Sequence, residues 1–199
     1  IEALAHRLID AFPAGGPVDL LPAFAAPIPI TIIAEMLGVP VERGADMLDW
    51  SHRMVAMYMH GRTRAVEDAA NQAATEFAGF LRACIAERRA SPADDLLGVL
   101  IAARDGGQKL SEDELVASAI LLLNAGHEAT VHQMGNAVRT VLSQAGDPRR
   151  FFKDDAAGAA AVEECLRIDA PLHMFTRYAN EAMDLPEGVT VEPGDQVAL

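Results

Sequence analysis

Residues Leu121–Val138 read LLLNAGHEATVHQMGNAV. Apolar positions recur there at helical spacing, which predicts the middle of a long helix set in a core. Yet Gly126, His127 and Glu128 stand side by side in it, and Thr130 and His132 follow at once. A glycine in a helix interior costs about 1 kcal/mol relative to alanine. Burying Glu128 unpaired costs considerably more. A helix that carries both is expected to hold a kink, a bulge or a ligand pressed on its backbone.

Outward from that stretch the text is mostly helical. LSEDEL opens the long helix with a capping box, in which Ser111 and Glu114 each reach the other's backbone N–H. The pattern runs to about Ser143, roughly 50 Å at the α-helical rise. Upstream, helices are expected from the first residues to about Ala11, at Ile30–Leu37 ended by Gly38, at Arg43–Tyr58 and at Ala65–Arg89. In SPADDLLGVLIAARDGG, Ser91 suits a cap, Pro92 the first helical position, and Asp105-Gly106-Gly107 a turn. Downstream, helix resumes at Ala156–Ile168. Past Pro171 the pattern becomes strand-like, with a turn at Pro186-Glu187-Gly188. The fold class is therefore mainly α: one domain over residues 1–199, helical over 1–170, with a small β annex over 174–199. Both ends cut through secondary structure, so the fold is expected to be truncated at each.

The composition narrows the function. The 199 residues carry a net charge of −13, and 51% are hydrophobic but only 5% aromatic. An acidic chain without a basic patch argues against nucleic acid and anionic membranes as partners. No apolar run reaches bilayer-spanning length, and no signal-like segment opens the chain. Two cysteines, Cys84 and Cys165, make no disulfide framework, so the cytoplasm is the expected compartment. Both read as buried structural thiols. HEATVH resembles a zinc-protease helix motif, but His127 and His132 are five apart, about 140° around the helix. They do not close on one ion, so no metal ligand set is expected within the chain. His6, His52, His60 and His173 show no ligand spacing.

A second constellation lies in VEECLRIDAPLHMFTRYA. Glu164 and Arg167 are three apart on one helix face and able to pair. Apolar Ala160, Val162 and Leu166 around them predict at least partial burial, where such a pair needs further partners. Arg177, beyond Pro171, reads on its own as a solvated cation.

Together these motifs resemble the bacterial cytochromes P450. AGHEAT at Ala125–Thr130 is similar to the family's central-helix motif, and EECLR carries its Glu-x-x-Arg at Glu164 and Arg167. SPADDLL, LSEDEL, AVEECLRIDAPL and PGDQVAL read like family phrases in family order. The resemblance covers essentially the whole chain. It implies a P450-like helical fold and a haem-dependent monooxygenase of a small hydrophobic substrate, fed electrons by a ferredoxin-type or flavin reductase partner. By the same resemblance Glu128 serves proton delivery, with Thr130 as its helper, and Ala125 and Gly126 shape the oxygen side of the haem. Glu164 and Arg167 brace the other side, Arg177 meets a propionate, and His173 lies where substrate is touched. Two departures stand out. Ala129 occupies the position where the family has threonine directly after the acid, and Thr130 lies about 100° further around. The family's axial cysteine, in a glycine-rich loop beyond the Glu-x-x-Arg helix, has no counterpart in this chain, which alone is expected to be inactive. The alternative is a haem-free P450-like accessory protein that acts by contact.

Overall fold

A computed structural model describes residues 1–105 and 110–199. Its elements are α1 (Glu2–Asp10), α2 (Pro27–Leu37), α3 (Gly44–Val55), α4 (Arg64–Ala90), α5 (Leu96–Asp105), α6 (Glu112–Ser143) and α7 (Asp155–Ile168). Four short strands follow: β1 (Thr176–Tyr178), β2 (Met183–Leu185), β3 (Val189–Val191) and β4 (Gln196–Ala198). The chain is mainly α with a small β region near its C-terminus, as the sequence leads one to expect. Contacts divide it into two compact units, Ile1–Gly135 and Asn136–Leu199.

The first unit holds the core. Helix α4 lays Ala73, Phe77, Leu81, Cys84 and Ile85 along one buried face, with Phe80 partly buried beside it. Against it pack Leu37, Met47 and Trp50 from α2 and α3, with Leu97 from α5 and Leu115, Ala119 and Leu123 from α6 in the same cluster. Trp50 stacks tilted on Phe77 at 5.1 Å between ring centroids. Its indole N–H donates to Glu76 at 2.9 Å, and the same carboxylate oxygen accepts from Arg53 at 2.7 Å. These bonds tie α3 to α4 and hold the Glu76 carboxyl below its usual range, chiefly through Arg53 and then Gln72.

Helix ends follow local chemistry with one exception. The Ser111–Glu114 capping box is formed: Ser111 N–H donates to Glu114 at 2.7 Å, and Glu114 N–H to Ser111 Oγ at 3.2 Å. Gly38 ends α2 in the left-handed region at φ 78°. Prolines do not delay α2, which starts at Pro27, because first-turn N–H groups have no intrahelical acceptor to lose. The exception is α5. It begins at Leu96, not near Pro92, and Asp95 rather than Ser91 caps it, accepting Gly98 N–H at 2.8 Å. Arg88 of α4 pairs with Asp95 at 2.6 Å and donates to Gly38 O at 2.7 Å, which fixes where α5 can start. Of the turn expected at Asp105-Gly106-Gly107, both glycines lie outside the described residues.

In the second unit, the C-terminal end of α6 and α7 lie alongside each other. Asn136 donates to the Asp169 carbonyl at 3.2 Å, Arg139 pairs with the Asp169 carboxylate, and the Cys165 thiol points at Ala137 O. Asp154 caps α7 by accepting Ala157 N–H at 2.8 Å. The strands form two antiparallel pairs, β1 with β4 and β2 with β3, in register Arg177 opposite Val197 and Asp184 opposite Thr190. Among the described residues no helix is long and apolar enough to cross a membrane.

Candidate functional site

Helix α6 carries the opening motif without a break in its α-helical run. Its core stripe is Leu115, Ala119, Leu123 and His127, all buried and each four residues from the last. Two residues out of phase, and so nearly opposite, runs a second stripe of Leu121, Ala125 and Ala129, with Leu122 beside it. Leu121 is 66% exposed and Leu122 38%, and Ala125 is open as well. A helix that is apolar on two opposite faces has a second surface to cover. Small side chains at 125 and 129, about one turn apart, leave few projecting atoms on that face.

Gly126 lies between the stripes. A Cβ there would meet Ile33 of α2 at 3.2 Å. An added side chain there would require Ile33 to give by a few tenths of an ångström, so α2 packs close to the glycine. No π-helical turn interrupts α6 there. Glu128 is half-buried at the edge of the open stripe. Thr130 lies about 100° beyond Ala129, and its hydroxyl approaches the Gly126 carbonyl of its own helix at 3.5 Å. It is exposed on a different side from Ala125 and Ala129.

His127, unremarkable in the sequence beside the glycine and the acid, is 1% exposed. Its Nδ1 sits 3.2 Å from Leu123 O, and its ring centroid is 6.0 Å from that of His52. Burial, more than any other influence, pushes its pKa below that of an ordinary imidazole. His132 faces solvent, so the two histidines do not converge. Among the described residues no group of three or more His, Cys, Asp or Glu side chains is placed to hold a metal ion.

In the second unit, Glu164 and Arg167 form a two-pronged pair, with both N–H···O distances 2.7 Å. The expected partial burial is not met: the side chains are 53% and 70% exposed, and Val162 and Leu166 on the same helix are open too. Apolar neighbours do not bury a pair when they are themselves uncovered. Each partner still holds the other charged, Glu164 below and Arg167 above its ordinary pKa, through their hydrogen bonds. Arg177 is exposed in β1, its guanidinium bonded to Thr176 O at 2.9 Å and 5.8 Å from the Phe175 ring. His173 is 79% exposed and 4.0 Å from Asp169. An apolar groove of about 650 Å³ between α6 and α7 is lined by Val138, Leu142, Phe152 and Val162, and a neighbouring one reaches Glu164. Both cysteines are buried and unpaired, and desolvation pushes the Cys84 thiol up.

No family model matches the chain. Individual proteins do. The vitamin D(3) 25-hydroxylase of Pseudonocardia autotrophica is 37% identical over 201 residues, covering 100% of this chain and 48% of that protein. Cytochrome P450 107B1 of Saccharopolyspora erythraea is 36% identical over 197 residues, 96% of this chain and 47% of the relative. Among solved structures, myxobacterial cytochrome P450 CYP267B1 in complex with myristic acid superposes with a TM-score of 0.87 at 35% identity, covering 99% of this chain and 48% of that one. P450BioI, in complex with an acyl carrier protein ligated to hexadec-9Z-enoic acid, gives 0.89 at 30% identity, over 98% and 50%. The chain spans about half the length of the relatives it matches.

Proposed function

The chain belongs to the bacterial cytochrome P450 family, and from that premise we propose that it serves a haem-dependent monooxygenase acting on a small hydrophobic substrate. The observation that carries this reading is the open apolar stripe Leu121–Ala125–Ala129 on α6, with the half-buried acid Glu128 at its edge. Haem, when bound, supplies the oxygen-activating chemistry. Ala125 and Gly126 shape the oxygen side of the haem, with the small Ala129 one turn on from Ala125. Glu128 holds a proton at its carboxyl and delivers it through water. Thr130 is turned onto its own helix, so it is a weak helper in this role, and water or a substrate hydroxyl takes the place of the side chain lacking at Ala129.

Glu164 and Arg167 form the brace on the other side of the haem, Arg177 meets a propionate, and His173 touches substrate. All four side chains are exposed and therefore available for such contacts. Arg177 donates to a backbone carbonyl of its own strand. Electrons come from a ferredoxin-type or flavin reductase partner. The setting is the cytoplasm, in line with two unpaired thiols.

The second reading is a haem-free P450-like accessory protein that acts by contact. A carbon monoxide difference spectrum of the full-length gene product separates the two. The monooxygenase gives the red-shifted Soret band of a thiolate-bound haem, and the accessory protein gives none. In the monooxygenase, Glu128→Gln is expected to keep that band and slow turnover about a hundredfold, at the low end of what a positioned proton donor contributes. Turnover equal to the parent's removes Glu128 from this role.

A further inference from the structure

Three buried polar atoms on facing turns of α3 and α6 have no hydrogen-bond partner among the described residues: Ser51 Oγ, Asn124 Oδ1 and His127 Nε2. The two helices meet here at two points. Asn124 Nδ2 lies 3.9 Å from Met54 Sδ, and the rings of His52 and His127 are 6.0 Å apart. On α3, Met54 and His52 flank the direction of Ser51, about 60° to one side and 100° to the other. The buried Ser51 lies between those two residues on α3. On α6, Asn124 and His127 are three apart and share a side. The three atoms belong to the turns of α3 and α6 that meet at these contacts.

Leaving one buried polar group unpaired costs about 1–3 kcal/mol, and native interiors satisfy such groups with protein or with water. The chemistry of the set selects the guest. The Nδ1–H of His127 donates to Leu123 O, which leaves Nε2 an acceptor. Asn124 Oδ1 accepts as well, and a hydroxyl can do either. Acceptors repel an anion, and the three neutral groups supply no charge to offset a cation. A neutral molecule that donates twice, water, fits. The α3–α6 contact also has two ends. His52 is solvent-exposed at one. At the other, Glu128 lies one turn beyond Asn124 and about 40° around.

We propose that Ser51, Asn124 and His127 hold a water cluster between α3 and α6, and that this cluster is the proton inlet of Glu128. The inlet rests on the reading of Glu128 as the proton-delivering acid. A cluster water passes a proton to the Glu128 carboxylate, and solvent returns one past His52, so the carboxylic acid forms with no change in electrons. Ser51, Asn124 and His127 are positioning residues, acting through water.

The test uses the full-length gene product. Ser51→Ala and His127→Leu are melted singly and together, with His127→Gln as the variant that keeps an acceptor. A shared cluster predicts that each of the first two lowers the midpoint by about 2–4 °C, that the pair loses less than the sum, and that His127→Gln stays near the parent. If both single substitutions raise the midpoint and their effects add, the α3–α6 contact is dry and the proposal falls. In the second arm, Ser51→Ala is expected to keep the carbon monoxide band while the share of electrons ending as hydrogen peroxide rises severalfold. An unchanged share with an intact band overturns the inlet. Absence of the band in the unsubstituted protein overturns the reading of Glu128 itself.

Discussion

At the residue scale, His127 and Gly126 show how a motif's middle positions answer to packing. Burial makes the charged imidazole of His127 costly, so its folded pKa lies below the unfolded value of about 6.5. The titratable groups near it are Glu128 and His132 on its own helix and His52 on α3. Below the unfolded value the unfolded chain binds a proton that the folded chain refuses. The stability His127 allows is therefore present above about pH 6.5 and is lost as pH falls from there toward the folded pKa. Urea unfolding between pH 7.5 and 5 is expected to show this loss, and His127→Gln to flatten it. An identical slope in the variant assigns the loss elsewhere. Gly126 answers to Ile33: Gly126→Val is expected to cost about 1–3 kcal/mol by overpacking, and pairing it with Ile33→Ala to cost less than the two changes separately. Additive costs in denaturant melts would separate Gly126 from α2.

At the element scale, what the sequence displays depends on how far away the deciding partner lies. The Ser111–Glu114 box is readable because both partners fall within one turn, and the α4 stripe because its period alone picks the buried face. The start of α5 is not readable. Ser91-Pro92 satisfies every local rule for a helix start, but Arg88 and the Gly38 carbonyl hold Asp95 as the cap instead. Burial at Glu164–Arg167 fails for the same reason, since no neighbour in sequence can report whether Val162 and Leu166 are covered. The α2–α4–α5 junction offers a direct measurement. A Cβ at Gly38 would overlap the Asp95 carboxylate and press on Arg88, at a φ of 78° that L-residues rarely adopt. Gly38→Ala is expected to cost at least about 2 kcal/mol. A loss under half that in chemical denaturation would mean the junction opens freely.

At the scale of the whole molecule, apolar burial is unevenly shared. The first unit contains nearly every buried hydrophobic side chain, while the second buries only Cys165 and Val191 among its described residues. Phe152, Val162, Ile168, Leu172, Phe175 and Tyr178 stand open there. Its strands are three residues long and pair two by two, a size marginal in water without a covered face. Folding stability rests on apolar burial set against chain entropy, so the second unit has little of its own to draw on. Hydrogen exchange on this 199-residue chain is expected to label α7 and all four strands well before the α2 and α4 amides. The open side chains are likewise expected to bind a hydrophobic dye. Whatever covers them, further polypeptide or a bound cofactor, slows exchange at those same amides and displaces the dye, so the two signals should fall together. Protection of α7 equal to that of α4 in the bare chain would show instead that the second unit stands on its polar ties, Asp169 to Asn136 and Arg139 foremost.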